Sequence, residues 1–134
     1  MTAPVSILVV DDDAAVRFVC RRVLLRAAGE GRVEVFEAKD GEEAVRMLAA
    51  RGFDVVLADY RMGATTGIDV LVEALRRHPA AARLLMSGHA DPGIVEAARE
   101  RARIHDFVEK PMSTGGFDDM LRRAVLDRYV GGAA

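Results

Sequence analysis

Acidic residues stand directly after two apolar segments of this sequence. Asp11, Asp12 and Asp13 follow the apolar run Val5–Val10, and a second apolar run ends on Asp59. Carboxylates brought together at strand ends repel one another and lose hydration, so a cation such as Mg²⁺ is the usual reason to keep them. The pattern predicts a metal-assisted site for phosphate chemistry.

Size and composition indicate one globular domain. The chain has 134 residues, of which 51% are hydrophobic and 30% are charged, and this balance is typical of a folded protein rather than a disordered one. We expect a single domain over residues 1–134, with its core at about residues 5–130. Residues 131–134 read as a flexible tail or the start of a linker.

Charge and cysteine content exclude several classes of function. A net charge of −2 gives no basic footprint for direct nucleic-acid binding. The single cysteine, Cys20, cannot form an internal disulfide and lies on an apolar helical stripe, which favours a packed thiol in a reducing compartment. The apolar run near the start is too short for a signal peptide or a membrane span, so we expect a cytoplasmic protein without membrane contact.

Apolar runs and helical stripes alternate along the chain. The continuous run Val5–Val10 predicts a buried parallel strand, and the stripe from the N-cap Asp13 to Gly29 predicts a helix. The remaining predicted strands cover residues 32–38, 53–58, 82–86 and 104–109. The remaining predicted helices have apolar positions within residues 44–48, 68–75, 94–98 and 117–128. This is a (βα)₅ pattern, which predicts an α/β, doubly wound, parallel five-stranded sheet with helices on both faces.

Polar residues end four of the predicted strands. The first strand is followed by Asp11 and Asp12, the third by Asp59, the fourth by Ser87 and the fifth by Lys110. Ligands of such sheets bind at the carboxyl ends of the strands, so these side chains should meet at one edge. Lysine is rare here, since arginine supplies all but two of the 19 basic residues. Carboxylates, a hydroxyl and a compact ammonium suit transfer of a phosphoryl group to an aspartate.

Four segments of the sequence resemble, in order and spacing, the receiver domain of two-component response regulators. They cover residues 7–12, 57–62, 85–88 and 107–111. The resemblance extends over nearly the whole chain, and four motifs in register on a (βα)₅ pattern are highly specific. It implies a flavodoxin-like fold, similar to chemotaxis regulators, with strand order 2-1-3-4-5.

The resemblance implies a phosphoacceptor and a metal site. Asp59 would accept the phosphoryl group. Asp12 and Asp59 would ligate Mg²⁺ directly, together with the backbone carbonyl of Arg61, and Asp11 would act on the metal through water.

Further roles follow from the same resemblance. Ser87 would hydrogen-bond the aspartyl phosphate, and Lys110 would pair with a phosphate oxygen. Phe107 matches the aromatic position whose rotamer follows Ser87 between inactive and active states. Arg61 and His89 flank the site at positions that are associated with the rate of dephosphorylation.

The sequence departs from the family pattern in the loop after the third strand. Gly63 stands where proline is usual, and Thr66 stands where an acidic residue usually precedes the loop glycine. Both changes should loosen this loop, since glycine adds backbone freedom and threonine removes a charge. The peptide before Pro111 is expected to be cis, as it usually is in this family.

The family implies a signalling switch rather than an enzyme that turns over an external substrate. A sensor histidine kinase or a phosphotransfer protein would phosphorylate Asp59, with the chain assisting its own phosphotransfer and dephosphorylation. A downstream protein or an output domain would bind the face formed by the fourth and fifth helices and the fifth strand, and a phosphorylation-dependent homodimer is possible. The sequence after Val130 has no room for an output domain, so we expect a stand-alone receiver or the receiver part of a longer regulator.

Two alternatives remain open from the sequence. Asp11 and Asp13 fit the start of the haloacid dehalogenase phosphohydrolase motif, although Ala15 stands where that motif has threonine. A pseudo-receiver scaffold that is never phosphorylated is the other alternative, but a scaffold would have no need to keep repelling carboxylates.

Overall fold

A computed structural model describes residues 3–29, 31–88, 91–110, 119 and 122–130 of the chain. The strands are β1 (Val5–Val10), β2 (Val33–Ala38), β3 (Val55–Asp59), β4 (Ala82–Ser87) and β5 (Asp106–Glu109). The helices are α1 (Ala14–Ala28), α2 (Gly41–Ala50), α3 (Gly67–Arg77), α4 (Pro92–Ala102) and a last helix of π type, α5 (Arg122–Val130). Within the described ranges, no helix has the length and apolar character needed to cross a membrane.

Aspartate side chains start three of the helices, and Asp13 does so where the sequence predicted. Asp13, Asp40 and Asp91 each precede a helix and accept a hydrogen bond from a backbone amide in its first turn. Pro92 follows as the first residue of α4, where its missing N–H is not needed. Gly29 ends α1 with a φ of 92°, a conformation that favours glycine.

All strand pairs are parallel, and the sheet order is β2-β1-β3-β4-β5. This confirms the predicted flavodoxin-like topology. The register sets Val10 beside Ala58, Asp59 beside Met86, and Ser87 beside Glu109. The carboxyl ends of β1, β3, β4 and β5 therefore meet at one edge of the sheet.

The core lies on both faces of the sheet because successive strand residues point to opposite sides. Ile7 and Leu57 pack with α1 and α5 on one face, and Leu8 and Val56 pack with α2, α3 and α4 on the other. Cys20 is buried in the first of these layers, and burial raises the pKa of its thiol to about 12. The thiol is therefore an inert packing group, as the sequence indicated.

Five strand boundaries differ from the predicted ones, each by one or two residues, and three of them lie near polar or capping residues. Asp59 and Ser87 belong to β3 and β4 instead of following them. Pairing continues past these polar residues: Tyr60 N donates to Met86 O at 2.8 Å and Lys110 N donates to Ser87 O at 2.7 Å. β5 begins at Asp106 rather than at residue 104, because Arg103 caps α4 in the left-handed conformation and residues 104 and 105 lead the chain to the sheet, where His105 N donates to Arg83 O at 2.7 Å.

Candidate functional site

Three carboxylates and one ammonium meet at the carboxyl edge of the sheet. Lys110 Nζ lies 2.9 Å from Asp11 Oδ2 and 3.1 Å from Asp59 Oδ1. One carboxylate oxygen from each of Asp11, Asp12 and Asp59 lies within 4.8 Å of the other two. Asp11 and Asp59 are 0% and 4% exposed, whereas Asp12 faces solvent. The sequence-predicted cluster is thus present, with an open side at Asp12.

The turn between β1 and α1 separates the roles of its three aspartates. Asp11 Oδ1 accepts a hydrogen bond from Asp13 N at 2.9 Å, and Arg17 Nη1 donates to the Asp11 carbonyl at 2.7 Å. Asp13 Oδ1 accepts from Ala15 N at 2.9 Å and so caps α1. Asp13 is a helix cap, as predicted, and is not part of the acidic cluster.

The loop after β3 holds the end of that strand closely. Gly67 N donates to Tyr60 O at 3.0 Å. A Cβ on Gly67 would overlap the carbonyl oxygen of Asp59 and lie 2.7 Å from its carbonyl carbon. Only glycine therefore allows this close approach of the two backbone segments. Gly67 and Arg17 both shape the site, and neither was assigned that role from the sequence.

The expected loosening of this loop stays a prediction, but Thr66 has a defined role in it. Thr66 Oγ1 accepts from Asp69 N at 3.3 Å, while Asp69 Oδ2 accepts from Thr66 N at 3.1 Å. This reciprocal capping box fixes the start of α3. Gly63 has a φ of 82°, so it serves a left-handed turn position that favours glycine.

Burial and mutual repulsion dominate the electrostatics of the cluster. Burial, followed by the negative charge of Asp11, raises the pKa of Asp59 to about 6. Burial also raises the pKa of Asp11, against the opposing hydrogen bond from Asp13 N and the charge of Lys110. Burial alone would lower the pKa of Lys110, but its two carboxylate neighbours together raise it. Lys110 therefore stays charged at neutral pH, but its single positive charge does not balance the negative charge of the three carboxylates.

The other predicted site residues are placed as follows. Ser87 is the last residue of β4 and is 3% exposed. Phe107, on β5, pairs with Leu85 of β4 and is half-buried in the core layer that contains α2, α3 and α4. Arg61 lies two residues after Asp59 with an exposed side chain. His89 and Pro111 lie outside the described residues, so the roles assigned to them stay predictions.

Replacing Asp59 with asparagine is expected to stabilise the metal-free protein at neutral pH. Because the folded state binds the Asp59 proton more tightly than the unfolded chain does, stability falls as pH rises from about 4 through about 6. Asparagine removes that loss, which is on the order of 1–3 kcal/mol at about pH 7.5. Urea unfolding in EDTA measures the free energy of unfolding of both proteins. The difference between Asp59→Asn and wild type should shrink at about pH 5, where Asp59 is largely protonated.

Asp12→Asn is the control for this comparison, since Asp12 is exposed and its neutralisation should change the stability less. A lower stability of Asp59→Asn than of wild type at neutral pH would show that the Lys110 ion pair outweighs the repulsion.

The fold and the site together are those of a doubly wound α/β domain with an acidic pocket at its strand ends. A sequence profile described as the response regulator receiver domain matches residues 7–122. The chain belongs to this family. This identity overturns the haloacid dehalogenase alternative, consistent with the use of Asp13 as a helix cap.

Named relatives agree with this assignment. The hydrogenase transcriptional regulatory protein HoxA of Cupriavidus necator is 30% identical over 120 residues, which cover 90% of this chain and 24% of HoxA. The DNA-binding transcriptional regulator NtrC of Escherichia coli K12 is 32% identical over 118 residues, covering 87% of this chain and 24% of NtrC. The chain thus spans about a quarter of the length of these two relatives.

A solved structure shows the same fold at comparable identity. The signal receiver domain of NarL from Mycobacterium tuberculosis is 34% identical and superposes with a TM-score of 0.77. The superposition covers 94% of this chain and 96% of that one.

Proposed function

We propose that this chain is a phosphorylation-activated switch that accepts a phosphoryl group on Asp59 in a Mg²⁺-dependent reaction. The Asp59 carboxylate supports the proposal most strongly. It is buried at the end of β3, its Oδ1 lies 3.1 Å from Lys110 Nζ, and one of its oxygens lies within 4.8 Å of an oxygen of each acidic residue after β1. A sensor histidine kinase or a phosphotransfer protein is the donor that fits a receiver domain.

The donor set fits Mg²⁺. Asp11, Asp12 and Asp59 offer hard carboxylate oxygens, the ligands that this ion prefers. Asp11 Oδ2 is buried and, apart from its ion pair with Lys110, meets no hydrogen-bond donor among the described residues. We infer that these three carboxylates hold the ion, together with the backbone carbonyl of Arg61. Bound Mg²⁺ would neutralise charge on the phosphoryl oxygens during transfer.

Asp59 is equipped to act as the nucleophile. A pKa of about 6 leaves the carboxylate ionised at neutral pH, yet burial limits the water that would solvate it. A carboxylate oxygen forms the new bond to phosphorus while the bond from phosphorus to the donor imidazole nitrogen breaks, and the imidazole leaves with that electron pair. The product is an acyl phosphate, and Lys110 is close enough to pair with one of its oxygens.

The switch follows from the charge that the phosphoryl group adds. Ser87 stands at the end of the neighbouring strand and would hydrogen-bond the phosphate, with Phe107 changing rotamer behind it. Such changes shift the population toward an active form of the α4-β5-α5 face. That face would bind a downstream protein, an attached output domain or a second copy of the chain, in the cytoplasm. Arg61 and His89 would set the lifetime of the phosphoryl group.

Incubation with acetyl phosphate tests the chemistry without a kinase. We expect the intact mass to show one phosphoryl adduct in the presence of Mg²⁺ and none in EDTA. Asp12→Asn should need more Mg²⁺ for the same adduct, because it removes a metal ligand and leaves the nucleophile in place. Asp54→Asn is the control, since Asp54 accepts hydrogen bonds from Ser6 instead of joining the acidic cluster.

A pseudo-receiver scaffold predicts a different result in the same experiment. It would stay folded and give no adduct with or without Mg²⁺. An adduct that forms equally well in EDTA would contradict the metal site while leaving phosphorylation itself in place.

A further inference from the structure

Asp12 is the least constrained of the three carboxylates. Its side chain is exposed and accepts no hydrogen bond from the described residues. Its position therefore depends on its backbone. On one side Asp13 N donates to Asp11 Oδ1 at 2.9 Å, and on the other Arg17 Nη1 donates to the Asp11 carbonyl at 2.7 Å.

The contact with Arg17 bears directly on Asp12. The Asp11 carbonyl and the Asp12 amide belong to the same rigid peptide plane, so a donor that fixes the carbonyl also fixes the plane. The orientation of that plane sets the direction in which the Asp12 side chain leaves the turn. Arg17 lies one helical turn after the N-cap of α1 and can make this contact without disturbing the cap.

Arg17 is itself held by the edge strand β2. Its Nε lies 3.1 Å from Glu37 Oε1, and its side chain is only 17% exposed. Glu37 also pairs with Arg21, whose Nη1 lies 3.3 Å from Glu37 Oε2 and donates to Val35 O at 2.9 Å. The guanidinium of Arg17 thus bridges β2 and the acidic turn.

We propose that Arg17, anchored by Glu37, is a positioning residue that holds Asp12 in place to bind Mg²⁺. This inference rests on the metal site of the proposed function. A guanidinium beside a cation site would by its charge alone weaken binding of the metal. Glu37 offsets that charge, so the orienting effect of Arg17 can dominate. The two effects therefore predict opposite changes in Mg²⁺ affinity when Arg17 is replaced by a neutral residue: loss of positioning would lower the affinity, and loss of the positive charge would raise it.

Titration calorimetry with Mg²⁺ at constant ionic strength distinguishes the positioning effect of Arg17 from the effect of its charge. We expect Arg17→Met to weaken Mg²⁺ binding about tenfold, the range typical of residues that orient metal ligands. Arg21→Met is the matched control. Arg21 also lies on α1, and its replacement also removes a Glu37 ion pair and a contact to a backbone carbonyl, that of Val35 on β2. Among the described residues, however, Arg21 has no hydrogen bond or ion pair with the acidic turn. The affinity of this variant for Mg²⁺ should equal that of wild type.

Two further variants complete the test. Glu37→Gln should weaken Mg²⁺ binding, because it releases Arg17 and leaves its charge uncompensated. Arg17→Gln keeps a polar side chain and serves if Arg17→Met does not fold, which melting in EDTA would show. The same loss of affinity is expected for it.

Wild-type or tighter affinity in the neutral Arg17 variants would overturn the inference. Equal losses in the Arg17 and Arg21 variants would also overturn it, because they would indicate a general effect on α1. Absence of Mg²⁺ binding by wild type would contradict the metal site of the proposed function, which separates that failure from a failure of Arg17 alone.

Discussion

Replacing Gly67 with alanine is expected to destabilise the protein by about 1–3 kcal/mol and to slow phosphorylation of Asp59. The added Cβ would overlap the carbonyl oxygen of Asp59 and lie 3.2 Å from Leu85 Cδ1. Neither neighbour can move away freely, because Asp59 pairs with Met86 in the sheet and Leu85 is fully buried. The start of α3 must shift instead, and the Gly67 contact to Tyr60 O is then lost.

Gly88→Ala is the matched control for this change. Gly88 follows Ser87 at the same edge of the sheet, and no atom of the described residues lies within 4 Å of the Cβ that alanine would add. The free energy of unfolding of Gly88→Ala, measured in urea, and its rate of adduct formation with acetyl phosphate should be close to those of wild type. If Gly67→Ala behaves like Gly88→Ala in both measurements, the close approach at Asp59 does not constrain the site.

Replacing Arg83 with methionine is expected to lower the free energy of unfolding by about 2–4 kcal/mol. Arg83 is 4% exposed although it carries a charge. Its Nε donates to Ala102 O at 2.8 Å and its Nη2 to Arg103 O at 3.2 Å, at the carboxyl end of α4. Its Nη1 donates to Ala81 O at 2.8 Å and to Pro79 O at 3.1 Å, before β4. Methionine fills similar space but leaves these carbonyls without their charged donor.

Arg76→Met provides the comparison for a surface arginine. Arg76 pairs with Glu73 at 2.8 Å, but its side chain is 63% exposed, so its loss should change stability little. Hydrogen exchange of Arg83→Met should show faster exchange at the end of α4, where the donor is lost. Equal unfolding free energies for the two variants would mean that the buried guanidinium contributes nothing net.

The sequence predicts the fold well because its local signals agree with one another. The run Val5–Val10 is buried on both faces, so it reads as continuous rather than alternating, as a parallel strand should. Asp13 and Asp91 identify helix starts through the short-range chemistry of capping. Alternation of these signals five times leaves few topologies, and right-handed crossovers select among them.

The acidic cluster was predictable for a related reason. Asp11 and Asp59 follow apolar runs, and the sheet brings the ends of those runs together whatever the details of packing. The strand ends themselves were less predictable. Whether Asp59 and Ser87 continue the ladder depends on hydrogen bonds from Tyr60 N and Lys110 N, which no local pattern encodes.

Neither the residues that support the acidic cluster nor the structural role of the buried Arg83 could be predicted from sequence. Arginine is so frequent in this chain that nothing distinguishes Arg17 or Arg83 from the solvent-facing arginines. Their roles depend on carbonyl groups that are set by the turns around them. The role of Gly67 was equally hidden. Glycine is required there because the carbonyl group of Asp59, on another element of the chain, lies against it in the folded structure.

Locating the phosphoryl group on the chain would test whether Asp59 is the phosphoacceptor. Wild-type protein is incubated with acetyl phosphate and Mg²⁺, the acyl phosphate is reduced with borohydride to homoserine, and the modified position is read by tandem mass spectrometry. We predict homoserine at position 59 and no modification in Asp59→Asn. Modification at Asp11 or Asp12 with Asp59 unchanged, in folded protein that binds Mg²⁺, would contradict the assignment of Asp59 as the phosphoacceptor.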